Sequence, residues 1–174
     1  MARTPQRRDE SATSGIVVRT LDSVGNDATR WLDLLDLRAR VLRPGQPKER
    51  SRFAGDDAPG AVHLGAFARG ASGGDERLIG IASVMEENGL RLRGMAVEED
   101  WRGRGVGAAL VRRVCALAVE RDLPLWCQAR MAAVGFYEKL GWVAEGERFD
   151  LPDIGPHVRM RWQGGGGPEA RKAL

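Results

Sequence analysis

Apolar residues recur along this chain in short runs, and the spacing within each run carries the period of one element. Ile16 to Leu21 reads as a first strand. Trp31, Leu34, Leu35, Val41 and Leu42 follow at helical spacing, with Asp27 as an N-cap and Arg43-Pro44-Gly45 as a stop, which predicts a helix through about Leu42. Residues 43–60, with three prolines and the pair Asp56-Asp57, read as a long loop or a short irregular helix, a length that is usually functional or flexible. Ala61 to Arg69, Leu78 to Met85 and Leu90 to Val97 read as an antiparallel meander, joined by the glycine-rich residues 70–76 and the turn Glu87-Asn88-Gly89. Val106, Leu110, Val114, Leu117 and Ala118 give the next segment, through about Glu120, one helical apolar face. Leu123 to Cys127 then reads as a short buried strand, Ala132 to Leu140 as a helix ended by Gly141, and Trp142 to Phe149 and His157 to Trp162 as two closing strands. This order predicts a mixed α/β sheet.

Residues 1–14 and 163–174 lack that periodicity, and the second segment holds the run Gly164 to Gly167, so both read as disordered tails around one domain at 15–162. A chain of 174 residues is too short for two cores of usual size, and 43% hydrophobic residues suffice for one. The net charge of +3 and a pI near 9.3 raise nucleic acid as a partner. Each tail holds one of those surplus charges, which leaves residues 11–162 close to neutral and removes the polymer's support. Cys115 and Cys127 have neither Cys-x-x-Cys nor Cys/His spacing, so they read as small core residues without a metal. With no apolar stretch of signal-peptide or membrane-span character, the expectation is a reduced, soluble, cytoplasmic protein, with a homodimer as an allowed assembly.

The segment Met95 to Gly107 carries the chemistry. A strand runs through the acidic link Glu98-Glu99-Asp100 into Trp101-Arg102-Gly103-Arg104-Gly105-Val106-Gly107, which opens a helix. Gly103, Gly105 and Gly107 remove side chains where backbone amides would approach a ligand, the layout of a phosphate cradle. Each hydrogen bond to a charged group contributes roughly 1.5–3 kcal/mol, so several amides with Arg102 or Arg104 suffice to hold a pyrophosphate. The plain alternative is a helix start that merely packs tightly. A Walker A loop is excluded because the only lysines are Lys48, Lys139 and Lys172. The dinucleotide pattern is formally met by Gly103, Gly105 and Ala108, but a five-residue link precedes it and no acidic residue ends the next strand, at Trp126, Cys127 and Gln128.

These residues resemble the GNAT superfamily of acyl-CoA-dependent N-acetyltransferases. The Arg/Gln-x-x-Gly-x-Gly/Ala signature is met by Arg102 to Gly107, and Ala133-Val134-Gly135-Phe136-Tyr137-Glu138-Lys139-Leu140-Gly141-Trp142 is similar to the family's Ala-x-x-Phe-Tyr-x-x-Leu-Gly-Phe block. The resemblance implies a mostly antiparallel central sheet with helices on both faces and a splayed pair of central strands that admits coenzyme A. It also implies acetyl transfer from acetyl-CoA directly to a primary amine, small-molecule or peptide, in a ternary complex. The amides of Gly103, Arg104, Gly105, Val106 and Gly107 would take the pyrophosphate, the backbone of Met95, Ala96 and Val97 would pair with the pantetheine arm, and Tyr137 would sit near the departing sulfur. A non-catalytic acyl-CoA-binding or sensing module is the alternative.

Acid–base arithmetic sharpens these roles. Full proton transfer from a tyrosine near 10 to a thiolate near 8.5 is uphill by roughly 2 kcal/mol, so Tyr137 is better a hydrogen-bond donor to sulfur. Deprotonating a lysine-like amine at pH 7 costs roughly 4–5 kcal/mol, so a base matters more. Some family members place a glutamate on the fourth strand for this, but residues 90–97 contain no carboxylate and instead carry Arg91 and Arg93 on one face. His63, Glu86, Asp150, Asp153 and His157 remain, and His157 stands out because Pro152 and Pro156 stiffen the loop before it. Arg130 stands where many members have an asparagine that contacts the cofactor arm; a contact with the cofactor or an acidic acceptor competes with a surface pair to Glu138. The acceptor pocket is expected at the first helix and the loop after it, where Arg38, Arg40, Arg43, Asp56 and Asp57 do not agree on a sign. Arg38, on the inward stripe with Trp31, Leu34 and Leu35, is the residue expected to point into the acceptor site, together with His157.

Overall fold

The computed structural model describes residues 15–21, 28–69 and 76–164. Within them the chain runs β1 (Ile16–Leu21), α1 (Ala28–Leu42), a 3-10 turn (Lys48–Ser51), β2 (Val62–Arg69), β3 (Glu76–Glu86), β4 (Leu90–Val97), a second 3-10 turn (Glu99–Trp101) and α2 (Val106–Arg121). It closes with β5 (Leu125–Arg130), a 3-10 turn (Met131–Ala133), α3 (Val134–Glu138), β6 (Trp142–Leu151) and β7 (Gly155–Trp162). The expected tail at 1–14, all of the one expected at 163–174 except residues 163 and 164, and the Asp27 cap lie outside the described residues; Gln163 donates its N–H to the Gly141 carbonyl.

The strands form one sheet in the order β1-β2-β3-β4-β5-β7-β6, antiparallel throughout except where β4 meets β5. Helices cover both faces. Trp31, Leu34 and Leu37 of α1 pack on Phe67, Leu78, Ile81 and Ala96, whereas Val106, Leu110, Val111, Val114 and Leu117 of α2 pack on the opposite face with Leu64, Ile79 and Val84. Each fully buried leucine among them contributes about 1.5–3 kcal/mol relative to exposure. This is the mixed sheet that the apolar spacing predicts.

The fifth strand and the last helix differ most from the sequence expectation, while β3, β6 and β7 extend by one or two residues at their ends. The fifth strand starts at Leu125 and runs to Arg130 rather than spanning residues 123–127. Leu123 still donates its N–H to Ala118 at the end of α2, and β7 pairs with the strand as far as Arg130↔His157, a partner that local pattern does not reveal. The helix expected over residues 132–140 shortens to Val134–Glu138, because Leu140 and Gly141 already close tighter turns onto Tyr137 and Glu138.

Candidate active site

β4 and β5 lie parallel only over Leu90↔Leu125, Arg91↔Trp126 and Leu92↔Cys127. Beyond that point β4 stays with β3 to Val97↔Gly80, while β5 stays with β7 to Arg130↔His157, so the sheet opens into a wedge. At the opening β4 carries a bulge: Ser83 pairs with Arg93 and Ile81 with Ala96, leaving Gly94 and Met95 opposite the single residue Ala82. Gly94 has φ of +63°, and a Cβ there would lie 2.9 Å from Phe53 Cε2 and 3.0 Å from Arg38 Nε, so both conformation and space require glycine. The bulge reverses the alternation of β4. Leu90 and Leu92 pack in the α2-side core, but Ala96 packs in the α1-side core. Arg91 and Arg93 thereby face the α1 side, and Met95 packs on the α2 side.

On the α2 side, Gly103 and Gly105 adopt φ of +75° and +82° in a glycine-rich turn exposed at residues 102–105. Gly105 is the N-cap of α2 and supplies no side-chain hydrogen bond, which leaves the first amides of that helix available. A Cβ at Gly103 would meet nothing within 4 Å, so its glycine answers backbone conformation and an open approach, not internal crowding. Arg102 and Arg104 are exposed on the same turn, Arg104 lying over the Trp101 ring at 5.2 Å. The link before the turn is fixed by Glu98, which accepts two hydrogen bonds from Arg40 of α1 at 3.0 and 2.8 Å and donates its N–H to Ile79. The turn therefore has the amides, the charge and the open face that an anionic phosphate requires.

Tyr137 of α3 is buried on the same side, edge-on to Phe136 and tilted against Trp142. Its hydroxyl lies 3.9 Å from Met95 Sδ and beside the Cys127 thiol, one contact on each strand of the wedge. Burial raises its pKa well above the ordinary tyrosine value, with the neighbouring thiol adding to the effect, so the hydroxyl keeps its proton and acts as a donor.

Across the sheet, His157 is 4% exposed and stacks on Phe149. Its Nδ1 lies 2.7 Å from the Gly155 carbonyl, which only accepts, so Nδ1 carries a proton and Nε2 is the ring nitrogen left to exchange one. His157 lines a cleft of about 210 Å³ between β4, β5, the end of α1 and the β6–β7 turn. The other candidate bases lie elsewhere: Glu86 pairs with Arg121, Asp153 with Arg50, Asp150 is exposed outside the cleft, and His63 is in the interior.

Arg38 does not meet its expectation. It points inward as its helical position predicts, but it is fully buried behind the cleft and bound there. Its Nη1 donates to Asp56 Oδ2 (2.7 Å) and the Ser51 carbonyl (3.1 Å), and its Nη2 to Asp56 Oδ1 (3.1 Å) and Ser83 Oγ (2.6 Å). Ser83 passes its own hydrogen to His63 Nδ1 (2.7 Å), and His63 Nε2 donates to the Asp56 carbonyl (2.9 Å). Burial and the Arg38 charge lower the His63 pKa, which keeps the ring neutral as this chain of donors requires. The network ties residues 51–56 to α1 and the sheet and holds Phe53 at the cleft wall.

Arg130 likewise departs from the expected surface pair: its Nη2 donates to the Leu42 carbonyl at the end of α1 (3.1 Å), and its side chain lines the cleft. Phe53, Arg43, Gln128, Leu151 and Ile154 complete the walls. The strand pattern of Arg91 and Arg93 signals part of this lining, but nothing local signals Phe53 or the β6–β7 residues. Cys127 is buried and Cys115 half-buried, and burial pushes both thiols up to about 12. Among the described residues no cluster of three or more His, Cys, Asp or Glu is arranged to hold a metal ion, and no helix is long and apolar enough to cross a membrane.

A sheet split between its fourth and fifth strands, with an anion-ready turn at the adjoining helix and a tyrosine beneath the split, defines an α/β acyltransferase. A family model described as an acetyltransferase (GNAT) domain matches residues 71–163. The chain is 38% identical over 137 residues to the "Uncharacterized N-acetyltransferase YitI" of Bacillus subtilis (strain 168), covering 74% of this chain and 88% of that protein. Solved structures share the fold: Escherichia coli ElaA superposes with a TM-score of 0.65 at 19% identity over 85% of this chain and 99% of that one. An aminoglycoside 6'-N-acetyltransferase complexed with coenzyme A does so with a TM-score of 0.64 at 16% identity over 83% and 95%. The chain belongs to the GNAT family of acetyltransferases, enzymes that use acetyl-CoA.

Proposed function

We propose that this protein transfers the acetyl group of acetyl-CoA directly to a primary amine bound with it in one ternary complex. The observation that carries the reading is the wedge itself, with a tyrosine hydroxyl on the α2 side and, on the α1 side, a histidine ring whose Nδ1–H is held by a backbone carbonyl. The amides of Gly103 to Gly107, with Arg102 and Arg104, bind the pyrophosphate, and the free edge of Met95, Ala96 and Val97 pairs with the pantetheine arm. The thioester supplies an activated acetyl group at the opening. An amine in the α1-side cleft then reaches that carbon from the opposite face, which is what direct transfer needs and a covalent relay does not.

His157 Nε2 accepts the proton that the amine nitrogen loses as its lone pair forms the new C–N bond. The C–S bond breaks with its electron pair on sulfur, and the Tyr137 hydroxyl donates a hydrogen bond to the charge that develops there. Burial makes full proton donation by Tyr137 costlier than in water, so the sulfur is protonated from another source.

The test is release of free thiol from acetyl-CoA in the presence of primary amines. Thiol release should depend on the amine, and Tyr137→Phe should lower kcat by about a hundredfold while CoA binding persists. His157→Gln should lower kcat by at least a similar factor. Failure of CoA to raise the melting temperature, or an unchanged kcat in both variants, would sink the reading.

A further inference from the structure

Four guanidinium groups line the α1-side cleft, and no carboxylate does: Arg43 at the end of α1, Arg91 and Arg93 on β4, and Arg130 on β5. Arg91 is neutralised locally, donating to Glu87 at 2.7 Å and Gln128 at 2.6 Å. Among the described residues the other three have no ion pair. Arg93 donates to the Ala54 carbonyl (3.2 Å) and lies over the Phe53 ring, and Arg130 donates to the Leu42 carbonyl. Arg43 also lies over Phe53, and its Nε is buried without any hydrogen-bond partner.

The carboxylates near them are already engaged or peripheral. Asp56 is spent on Arg38 behind the wall, Glu87 on Arg91, and Asp153 pairs with Arg50 while more than half exposed. Burial first, and like charge after it, push the Arg43 and Arg93 pKa values down, Arg43 feeling Arg130 and Arg50 against Asp153, and Arg93 feeling Arg91 and Arg38 against Asp56 and Glu87. A half-buried cluster of one sign is unfavourable in the free protein and becomes favourable when a ligand brings the opposite charge. The aromatic wall of Phe53 and the apolar contacts of Leu151 and Ile154 leave that charge as the main polar demand of the cleft.

We infer that the acceptor is a small anionic amine, whose carboxylate or phosphate is held by Arg43, Arg93 and Arg130 while its amino group lies toward His157. This rests on the acetyl-transfer reading and adds the chemical class of acceptor to it. A cationic polyamine is disfavoured by the same three charges, and the modest cleft favours a compact molecule of amino-acid size.

The experiment compares acceptors that differ by the anionic group alone, lysine against cadaverine and phosphoethanolamine against ethanolamine, by kcat/KM in the thiol-release assay. The same four compounds are titrated calorimetrically into the CoA-bound protein, which reads the cleft without turnover. The expected result is about a hundredfold preference for at least one anionic member over its partner, cut tenfold or more in Arg93→Gln and in Arg43→Gln with CoA affinity unchanged. Preference in the carboxylate pair alone identifies a carboxylate as the recognised group, and in the phosphate pair alone a phosphate. Arginine-dependent binding of the anionic amines without thiol release would uphold the acceptor class and overturn the transfer reading. Equal or better turnover of cadaverine and ethanolamine would overturn the acceptor class and leave transfer intact. No binding and no turnover of either anionic member would overturn the acceptor class as well.

Discussion

Removing the Asp56 carboxylate is the most direct perturbation of the cleft's support. Both side chains of the Arg38–Asp56 pair are fully buried, and the carboxylate also accepts the Phe53 N–H at 2.7 Å. Asp56→Ala therefore strands a guanidinium in the interior and frees the backbone of the segment that presents Phe53. Breaking a buried pair from one side costs about 3–5 kcal/mol, mostly for the charge left behind. At about 2–4 °C per kcal/mol for a chain of this size, the melting temperature should fall by roughly 6–20 °C. Urea unfolding of Asp56→Ala, of Arg38→Met and of the double variant closes a thermodynamic cycle. The double variant should recover at least about 1.5 kcal/mol relative to the sum of the singles, because it strands no charge. Amides of residues 51–56 should exchange faster in Asp56→Ala even where the sheet stays protected. A cost below about 1 kcal/mol, or strictly additive singles, would show that the pair is not the latch its geometry describes.

Three further outcomes follow from the same coordinates. Gly94→Ala should cost about 2–3 kcal/mol in urea unfolding, from the left-handed backbone and the close approach to Phe53 and Arg38, and should lower kcat/KM for the amine. His63 titrates below its ordinary 6.5 in the folded state. The unfolded chain therefore binds more protons as pH falls through 6.5, so the His63 contribution to stability, complete above that value, is lost toward the lower folded pKa. His63→Gln should flatten this part of the stability–pH curve. Cys115 and Cys127, both raised to about 12, should react with a disulfide reagent at neutral pH roughly a thousandfold more slowly than exposed thiols, checked by comparing native and urea-unfolded protein.

What the amino-acid order makes legible is local. The glycines at 103 and 105 announce the turn that opens α2, and helical spacing correctly turns Arg38 inward. Its destination is not local: Asp56 lies eighteen residues away in a stretch whose prolines suggest only a loop, and Ser83 and His63 arrive from two strands. Sequence spacing distinguishes a buried face from an exposed one, but it does not say whether a charge on the buried face meets a partner or a ligand. The cleft's sign has the same origin. Arg43, Arg93 and Arg130 come from three separate stretches of the chain, and only the folded chain shows that Asp56, Glu87 and Asp153, the carboxylates near the cleft, are paired with other arginines.

The bulge at Gly94 links these observations. Without it β4 would keep one alternation from Leu90 to Val97, and Met95 would share a face with Arg91 and Arg93. With it, the strand presents arginines to one side of the sheet and, two residues later, Met95 to the Tyr137 hydroxyl on the other. The same inserted residue interrupts the β3–β4 ladder where β4 parts from β5, so one backbone irregularity accompanies both the opening of the wedge and the separation of its two chemistries. On the proposed reading, a positively charged acceptor side and an apolar sulfur side would each spoil the other if they shared a face. Dividing them across the sheet would then let a charged amine and a soft leaving group meet only at the gap between the strands.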